Sequence, residues 1–487
     1  MVTSAEVLGS RQLVVVSNRE PYEHRNAPDG EVRIIRPAGG LTSALDPLMQ
    51  EAGGTWVAWG SGSADWDVVD ENGIVGVPPE EPHYWLKRLK LEKDLAERYY
   101  LGLANGALWP LCHLLLQHYR YDEQDWLAYQ AVNARFGQAA AAVAKENAVV
   151  WLQDYHLALV APHVRTARPS AAITQFWHIP WPPADILAYF PRRVDLLEGL
   201  LGNDLIGFHS DRYVVNFLGC VADMVNDVDV DSAEGIVLHR GHECRVRAYP
   251  ISIDYDRFVA MAASPRSERL ADELRARYCS GGRLLGLGVD RADYTKGIPQ
   301  RLESLDRLWS EHPEFRERLT FVQVATPTRG GIAAYDDLAD EVRTTVQGIN
   351  SRFGTPAWDP VVLIDRNVAQ ADLAGYYRAA DLCIVSSVQD GMNLVAKEYA
   401  ACPVAEIGVL VLSRFAGAAE EVDGAILVNP FDINAFTAAV RRALEMSQQE
   451  RRVRMSRMRA HLKRNTVYHW MDRILADVTE LRGPQQA

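Results

Sequence analysis

Leu284-Leu285-Gly286-Leu287-Gly288-Val289-Asp290-Arg291-Ala292-Asp293-Tyr294-Thr295-Lys296-Gly297 is an apolar run that ends in two cations and a glycine. Residues 284–289 read as a buried strand, with Arg291 and Lys296 at its carboxyl end and a helix beyond. A second stretch repeats the plan. The strand read over 382–387 leads into Asp390-Gly391-Met392-Asn393-Leu394-Val395-Ala396-Lys397-Glu398. There the spacing predicts a helix amino terminus over 392–395, whose N–H groups favour anions. Asp390 stands where an N-cap would. Glu398 falls one turn inside, on the face of Leu394 and Val395, as an acceptor for ribose hydroxyls. Two cations and a helix dipole aimed at one place suit a diphosphate, so the pair of stretches reads as a nucleotide-diphosphate site.

Outward from these stretches, strand and helix patterns alternate through both halves. Strands are expected at 13–16, 55–59, 149–152, 173–177 and 205–208, and again at 284–289, 319–324, 361–364, 382–385, 409–412 and 426–428. Such alternation implies parallel sheets with helices on both faces. At 487 residues the chain exceeds one core. The expected division is a first domain over 1–248, a second over 249–465 and a terminal helical segment over 466–487. Residues 22–36 are polar and turn-rich and are expected to form a mobile loop. Gly39-Gly40 is expected to open a helix with Leu41, Leu45 and Leu48 on its apolar face.

The formal charge of −13 repels phosphorylated ligands over the whole molecule, so anions must be held by local arginines, lysines and helix ends. No basic stripe supports nucleic-acid binding. Six scattered cysteines without a C-x-x-C pair fit a reducing compartment. No apolar run approaches the ~20 residues of a spanning helix, and the first ten residues lack a signal-peptide pattern. A cytoplasmic protein without membrane partners is expected.

The pattern resembles that of trehalose-6-phosphate synthases, retaining glycosyltransferases of family 20 and of the GT-B type. Besides the two stretches above, the resemblance rests on Val14-Val15-Val16-Ser17-Asn18-Arg19, Ala38-Gly39-Gly40-Leu41, Leu108-Trp109-Pro110, Asp154-Tyr155-His156-Leu157, His178-Ile179-Pro180, the segment 327–330 and the segment 410–419, in that order. It implies an α/β fold with two Rossmann-like, doubly wound parallel-sheet domains facing a central cleft, the terminal helix crossing back to the first. It implies transfer of glucose from a uridine, adenosine or guanosine diphosphate glucose to glucose 6-phosphate, giving α,α-trehalose 6-phosphate. No other cofactor and no metal are implied, and a homo-oligomer, dimer or tetramer, is expected. Retention would come without an enzyme nucleophile, the acceptor hydroxyl attacking the face that the diphosphate leaves.

The resemblance also distributes roles. Arg291 and Lys296 would stabilise the leaving diphosphate, and Asp390, Gly391, Met392, Asn393, Leu394 and Val395 would touch the donor sugar and phosphates. Gly40 and Glu398 would complete the donor site, with the base held by backbone near Val368. Arg19, Tyr100 and Arg329 would hold the acceptor phosphate, Arg19 and Arg329 as a clamp from opposite domains. Trp59 and Trp109 would shape the sugar pocket, with core filling the strong competing role for Trp109. Asp154 would meet an acceptor hydroxyl and His178 the donor sugar. Arg291 and Lys296 have a plainer reading as partners of Asp290 or Asp293. His239-Arg240-Gly241-His242-Glu243 lacks the order of a zinc helix and reads as a solvated hairpin. Two alternatives stay open: a relative with another acceptor, such as glycerol 3-phosphate or a cyclitol joined through nitrogen, and a non-catalytic nucleotide-sugar sensor.

Overall fold

The structure, a computed structural model, describes residues 4–36, 40–328, 330, 332–402 and 407–481. It divides into two compact units. One holds the chain up to Pro250 together with the segment that starts at Tyr468, and the other is Ile251–Val467.

The first unit contains β1 (Leu13–Arg19), β2 (Glu23–Asn26), β3 (Val32–Ile35), β4 (Thr55–Trp59), β5 (Ile74–Val77), β6 (Tyr84–Leu89), β7 (Val149–Gln153), β8 (Ala172–Phe176), β9 (Leu205–Phe208), β10 (Val228–Asp231), β11 (Ile236–His239) and β12 (His242–Ala248). Its main sheet runs β10-β11-β12-β9-β8-β7-β1-β4-β6-β5. From β12 to β6 the pairing is parallel, and the strands β7, β8 and β9 at its middle are buried along their whole length. Both edges are antiparallel, which the alternation pattern does not reveal. The β11–β12 turn is Arg240-Gly241, with φ of 50° and 79°, the two positive values that a tight right-twisted hairpin needs. The hairpin is there, but it is not solvated throughout: His239 is buried with its Nε2 3.8 Å from Glu198.

Residues 22–36 also depart from expectation. They form a second hairpin, β2 against β3, with Glu23 opposite Ile35. Tyr22, Glu23 and His24 at its base are buried, and Tyr22 donates to Asp46 at 2.9 Å. Buried polar residues thus anchor what composition alone marks as a loop.

The second unit contains β13 (Leu284–Arg291), β14 (Leu319–Thr326), β15 (Val361–Ile364), β16 (Leu382–Val385), β17 (Val409–Ser413) and β18 (Ile426–Val428), all parallel in the order β15-β14-β13-β16-β17-β18. The first strand in sequence lies mid-sheet, with later strands added first to one side and then to the other. Order therefore reverses between β13 and β16, and ligands in such sheets bind at the carboxyl ends flanking that reversal. Residues 291–297 lie at the carboxyl end of β13, and residues 390–398 follow β16. The parallel part of the first sheet has the same plan, with its reversal between β1 and β7, the strands that carry Arg19 and lead to Asp154.

The terminal segment is two helices, Gln448–Arg464 and Val467–Leu481. The second returns to the first unit, where Trp470 packs its ring 5.3 Å from Trp151 and 4.9 Å from Phe176. Among the described residues, no helix is long and apolar enough to cross a membrane.

Candidate active site

In the second unit, β13 delivers four charged residues with four different environments. Asp290 turns inward to the wholly buried Arg301, 2.6 Å away, and is no partner for Arg291 or Lys296. Asp293 is buried and caps the short turn Tyr294–Lys296 through the Thr295 N–H. Arg291 lies 3.3 Å from that same Asp293, with its side chain 40% exposed. Lys296 donates to Asp390 Oδ2 at 2.6 Å, the side chains 13% and 11% exposed. One cation is therefore open to solvent and the other is held, partly buried, by a carboxylate of the second stretch.

Gly297 makes this meeting possible. Its φ is 62°, and a Cβ there would lie 2.0 Å from the Ser386 carbonyl oxygen. The Val388 N–H donates to Thr295 O at 2.8 Å, which closes the β13 loop onto the end of β16.

The helix predicted over 392–395 begins at Leu394 and runs to Ala401. Its N-cap is Asn393, not Asp390: Asn393 has φ 75° and accepts the Ala396 N–H at 3.2 Å. Asp390 Oδ2 instead collects Lys296, Ser387 Oγ at 3.0 Å and Asn393 Nδ2 at 3.0 Å. Gly391 and Met392 are strapped to the neighbouring loop, Ala418 N–H donating to Met392 O at 2.8 Å. Gly417 is required beside them, since a Cβ would stand 2.1 Å from Gly391 O. Leu394 and Val395 are half-buried in the first turn.

Glu398 is half-buried and has a partner that the sequence does not announce, Tyr377, whose hydroxyl donates at 2.8 Å. Burial raises its pKa to about 6 against the partial opposition of that hydrogen bond. Val368 borders a cavity of about 470 Å³ on the loop after β15, shared with Arg366 and Tyr376.

In the first unit, Arg19 ends β1 directly beside Trp59 at the end of β4, its register partner. Arg19 Nη2 donates to the Tyr100 hydroxyl at 3.2 Å, and the Trp59 and Tyr100 rings lie 6.2 Å apart. Tyr100 stacks at 5.7 Å on His156, whose Nδ1 is 4.0 Å from Asp154 Oδ2. Tyr100 sits in a π-helix, Glu97–Leu108, a rare form that recurs at functional sites. One reason for the wide turns is local: Asn105 Nδ2 donates to Tyr100 O at 2.7 Å.

Asp154 has φ 72° and ψ 173°, which a residue with a Cβ adopts only when its surroundings enforce it. Three bonds do so: its N–H donates to Phe176 O at 2.7 Å, and its Oδ1 accepts from Tyr155 N at 2.9 Å and His178 N at 3.1 Å. The His178 Nε2 meets Gln153 Oε1 at 2.9 Å, and burial pushes the His178 pKa well down, so this ring is neutral at neutral pH.

The fold thus brings Arg19, Trp59, Asp154 and His178 to neighbouring strand ends about the reversal, with Tyr100 set beside Arg19 by the π-helix. Trp109 is buried one ring behind, against His113 at 4.2 Å and Tyr155 at 5.9 Å. Gly40 opens the helix Gly40–Ala52. Arg329 and Gly39 lie outside the described residues. His156, unremarked within its motif, is the ring linking Tyr100 to Asp154; only its place two residues after Asp154 could have signalled it.

Two α/β units with reversal-flanking polar residues, and a terminal helix returning to the first, define a glycosyltransferase of the GT-B type. The model of glycosyltransferase family 20 matches residues 11–480. The chain is 37% identical over 491 residues to a trehalose-6-phosphate synthase of Mycobacterium ulcerans, covering 99% of this chain and 97% of the relative. It is 38% identical over 483 residues to that of Mycobacterium avium, covering 98% and 97%. A solved α,α-trehalose-phosphate synthase (UDP-forming) from Burkholderia xenovorans, in complex with glucose-6-phosphate, superposes with a TM-score of 0.85 at 33% identity over 96% of this chain and 100% of that one. The Escherichia coli trehalose-6-phosphate enzyme bound with UDP-2-fluoro glucose matches with 0.85 at 31% identity over 96% and 99%. The chain belongs to glycosyltransferase family 20.

Proposed function

We propose that this chain transfers glucose from UDP-glucose to glucose 6-phosphate, releasing UDP and α,α-trehalose 6-phosphate. The observation that carries this is the paired placement of Lys296 and Arg291 after β13 and of residues 390–398 after β16, in a family whose solved members bind a UDP-glucose analogue and glucose-6-phosphate. The second unit is the donor unit and the first the acceptor unit.

Arg291 presents a planar fork to one phosphate and Lys296 a point charge to the other. Lys296 is already poised by Asp390, so the diphosphate is met by a cation needing little reorganisation. Glu398 accepts from the ribose, the backbone near Val368 meets the base, and the peptide groups of 391–395 line the sugar and phosphates. On the acceptor side Arg19 and the Tyr100 hydroxyl hold the 6-phosphate and Trp59 offers its ring to the sugar. Asp154 accepts a hydrogen bond from the attacking hydroxyl, and neutral His178 contacts the donor glucose. The C1–O bond to the diphosphate breaks as the acceptor oxygen bonds C1 on the same face. That same-face attack keeps the anomeric configuration, and the acceptor's proton leaves with a phosphate oxygen.

The reaction as drawn calls on no cofactor. A cytoplasmic homo-oligomer is the setting we propose for it.

The test is turnover of the purified chain on glucose 6-phosphate with uridine, adenosine and guanosine diphosphate glucose in turn, and on UDP-glucose with free glucose or glycerol 3-phosphate. Product only from glucose 6-phosphate, fastest with UDP-glucose, is expected. Preference for glycerol 3-phosphate, or nucleotide-sugar binding without product, would overturn the assignment. In Arg19→Ala the preference for glucose 6-phosphate over free glucose should vanish; an equal loss on both acceptors would remove Arg19 from the phosphate site.

A further inference from the structure

Directly behind Arg19 the first unit buries a group of charges that the transfer chemistry does not use. Glu20, Asp65 and Arg88 are each 2% exposed or less, and His24 is 4% exposed. Burying several ionisable side chains is costly unless each finds partners. Here each nitrogen of Arg88 is engaged. Its Nε meets Glu20 Oε2 at 2.7 Å, its Nη1 meets Asp65 O at 2.9 Å, and its Nη2 meets Tyr22 O at 2.8 Å and Asp65 Oδ1 at 3.0 Å. The same Nη2 lies 2.8 Å from His24 Nδ1, which must accept because a guanidinium only donates. Glu20 Oε1 accepts the Ser61 N–H at 3.1 Å, and Asp65 Oδ1 accepts the His24 N–H at 2.8 Å.

The residues tied together are telling. Glu20 follows Arg19, Ser61 follows Trp59 by two, and Arg88 lies on the next strand, register partner of Ala58. Tyr22 and His24 are the base of the β2–β3 hairpin. Gly60, between Trp59 and Ser61, leaves room for the guanidinium stem: a Cβ there would sit 3.2 Å from Arg88 Cδ.

We propose that Arg88, Glu20 and Asp65 are positioning residues for the acceptor, a buried frame that fixes Arg19 and Trp59 at adjacent strand ends and seats the hairpin beside them. This rests on the reading of Arg19 and Trp59 as acceptor contacts. A frame made of charge and not of aliphatic packing has a protonation state, and this one is defined. Burial raises the pKa of Glu20 to about 9, and its hydrogen bond to Asp65 acts in the same direction. Asp65, although burial opposes its charge, is held well below the usual carboxylate range by hydrogen bonding with His24, whose backbone N–H donates to it, and with Glu20, and by the Arg88 guanidinium. The direction of the two shifts makes Glu20 the acid and Asp65 the carboxylate of the frame, beside the Arg88 guanidinium. The charged or titratable groups facing Glu20 are Asp65 and Arg88, with His24 across the guanidinium.

The experiment compares Glu20→Ala, Glu20→Gln and Arg19→Ala in the full chain, measuring KM for glucose 6-phosphate and for UDP-glucose, and kcat, from pH 7 to pH 10. Glutamine keeps a donor and one acceptor but gives up the second acceptor, so the acceptor KM of Glu20→Gln at pH 7 should lie nearer the wild type than that of Glu20→Ala. Glu20→Ala should raise that KM about tenfold or more, with the UDP-glucose KM within about twofold. In the wild type the acceptor KM should climb as pH passes about 9 and Glu20 ionises; in Glu20→Gln that climb should be absent. If Glu20→Ala does not fold, the pH comparison with Glu20→Gln decides alone. Wild-type acceptor KM in Glu20→Ala while Arg19→Ala raises it, equal loss for both substrates, or an unchanged alkaline climb in Glu20→Gln would overturn the frame. An Arg19→Ala enzyme with unaltered acceptor KM would instead overturn the site reading on which it stands.

Discussion

Lys296 and Asp390 lie 94 positions apart in sequence and 2.6 Å apart in space. Sequence reading identifies both as ligand contacts but cannot identify them as each other's partners, because that depends on β13 and β16 being sheet neighbours. Arg291 carries the more exposed charge and so depends more on the ligand. Arg291→Ala is expected to cost about 3 kcal/mol of barrier, some two orders of magnitude in kcat/KM; steady-state kinetics near the wild-type rate would remove it from the chemistry. Glu398 makes a pH-dependent prediction. With its pKa at about 6, the carboxylate proposed to accept from ribose is lost as pH falls through 6, so the UDP dissociation constant should rise there. In Glu398→Gln the curve should be flat, and calorimetry between pH 5 and 7.5 checks both. The sign for stability is opposite. A carboxyl raised above its ordinary value favours folding most below about 4.5, and that contribution is lost as pH rises through about 6. Tyr377 was hidden from the sequence because a helix-borne tyrosine 21 residues upstream carries no mark of its partner.

At the scale of elements, apolar runs were legible because parallel strands covered on both faces are apolar throughout. β4, β9, β15 and β18 have the bounds that their composition sets. Elements stabilised by polar anchoring were not legible: the β2–β3 hairpin reads as loop because Tyr22 and His24 at its base are held by Asp46, Asp65 and Arg88, far along the chain. Cap identity was misread for a related reason. Asp390 and Asn393 both suit an N-cap, and the choice falls to Asn393 because Lys296 already occupies Asp390. Gly297 is the joint on which the donor loop turns. Gly297→Ala should destabilise the chain by about 1–3 kcal/mol through its positive φ and its approach to Ser386 O, and should also weaken UDP binding by moving Lys296. Denaturant titration with UDP calorimetry tests it, and a variant of wild-type stability and affinity would contradict it.

For the whole molecule, a formal charge of −13 places the burden of anion binding on a few local sites. Trp470 is 2% exposed and packs on Trp151 and Phe176, so Trp470→Ala should destabilise the first unit by about 3–5 kcal/mol. UDP affinity below the unfolding transition should stay unchanged, and a lost UDP affinity in the folded variant would contradict the assignment of the donor to residues 251–467. The most direct test of the central claim is calorimetric titration of UDP into the wild type and into the double variant Arg291→Ala, Lys296→Ala. Two charge-assisted contacts predict a dissociation constant raised about a hundredfold or more. An affinity within about twofold of wild type would show that the diphosphate is held elsewhere.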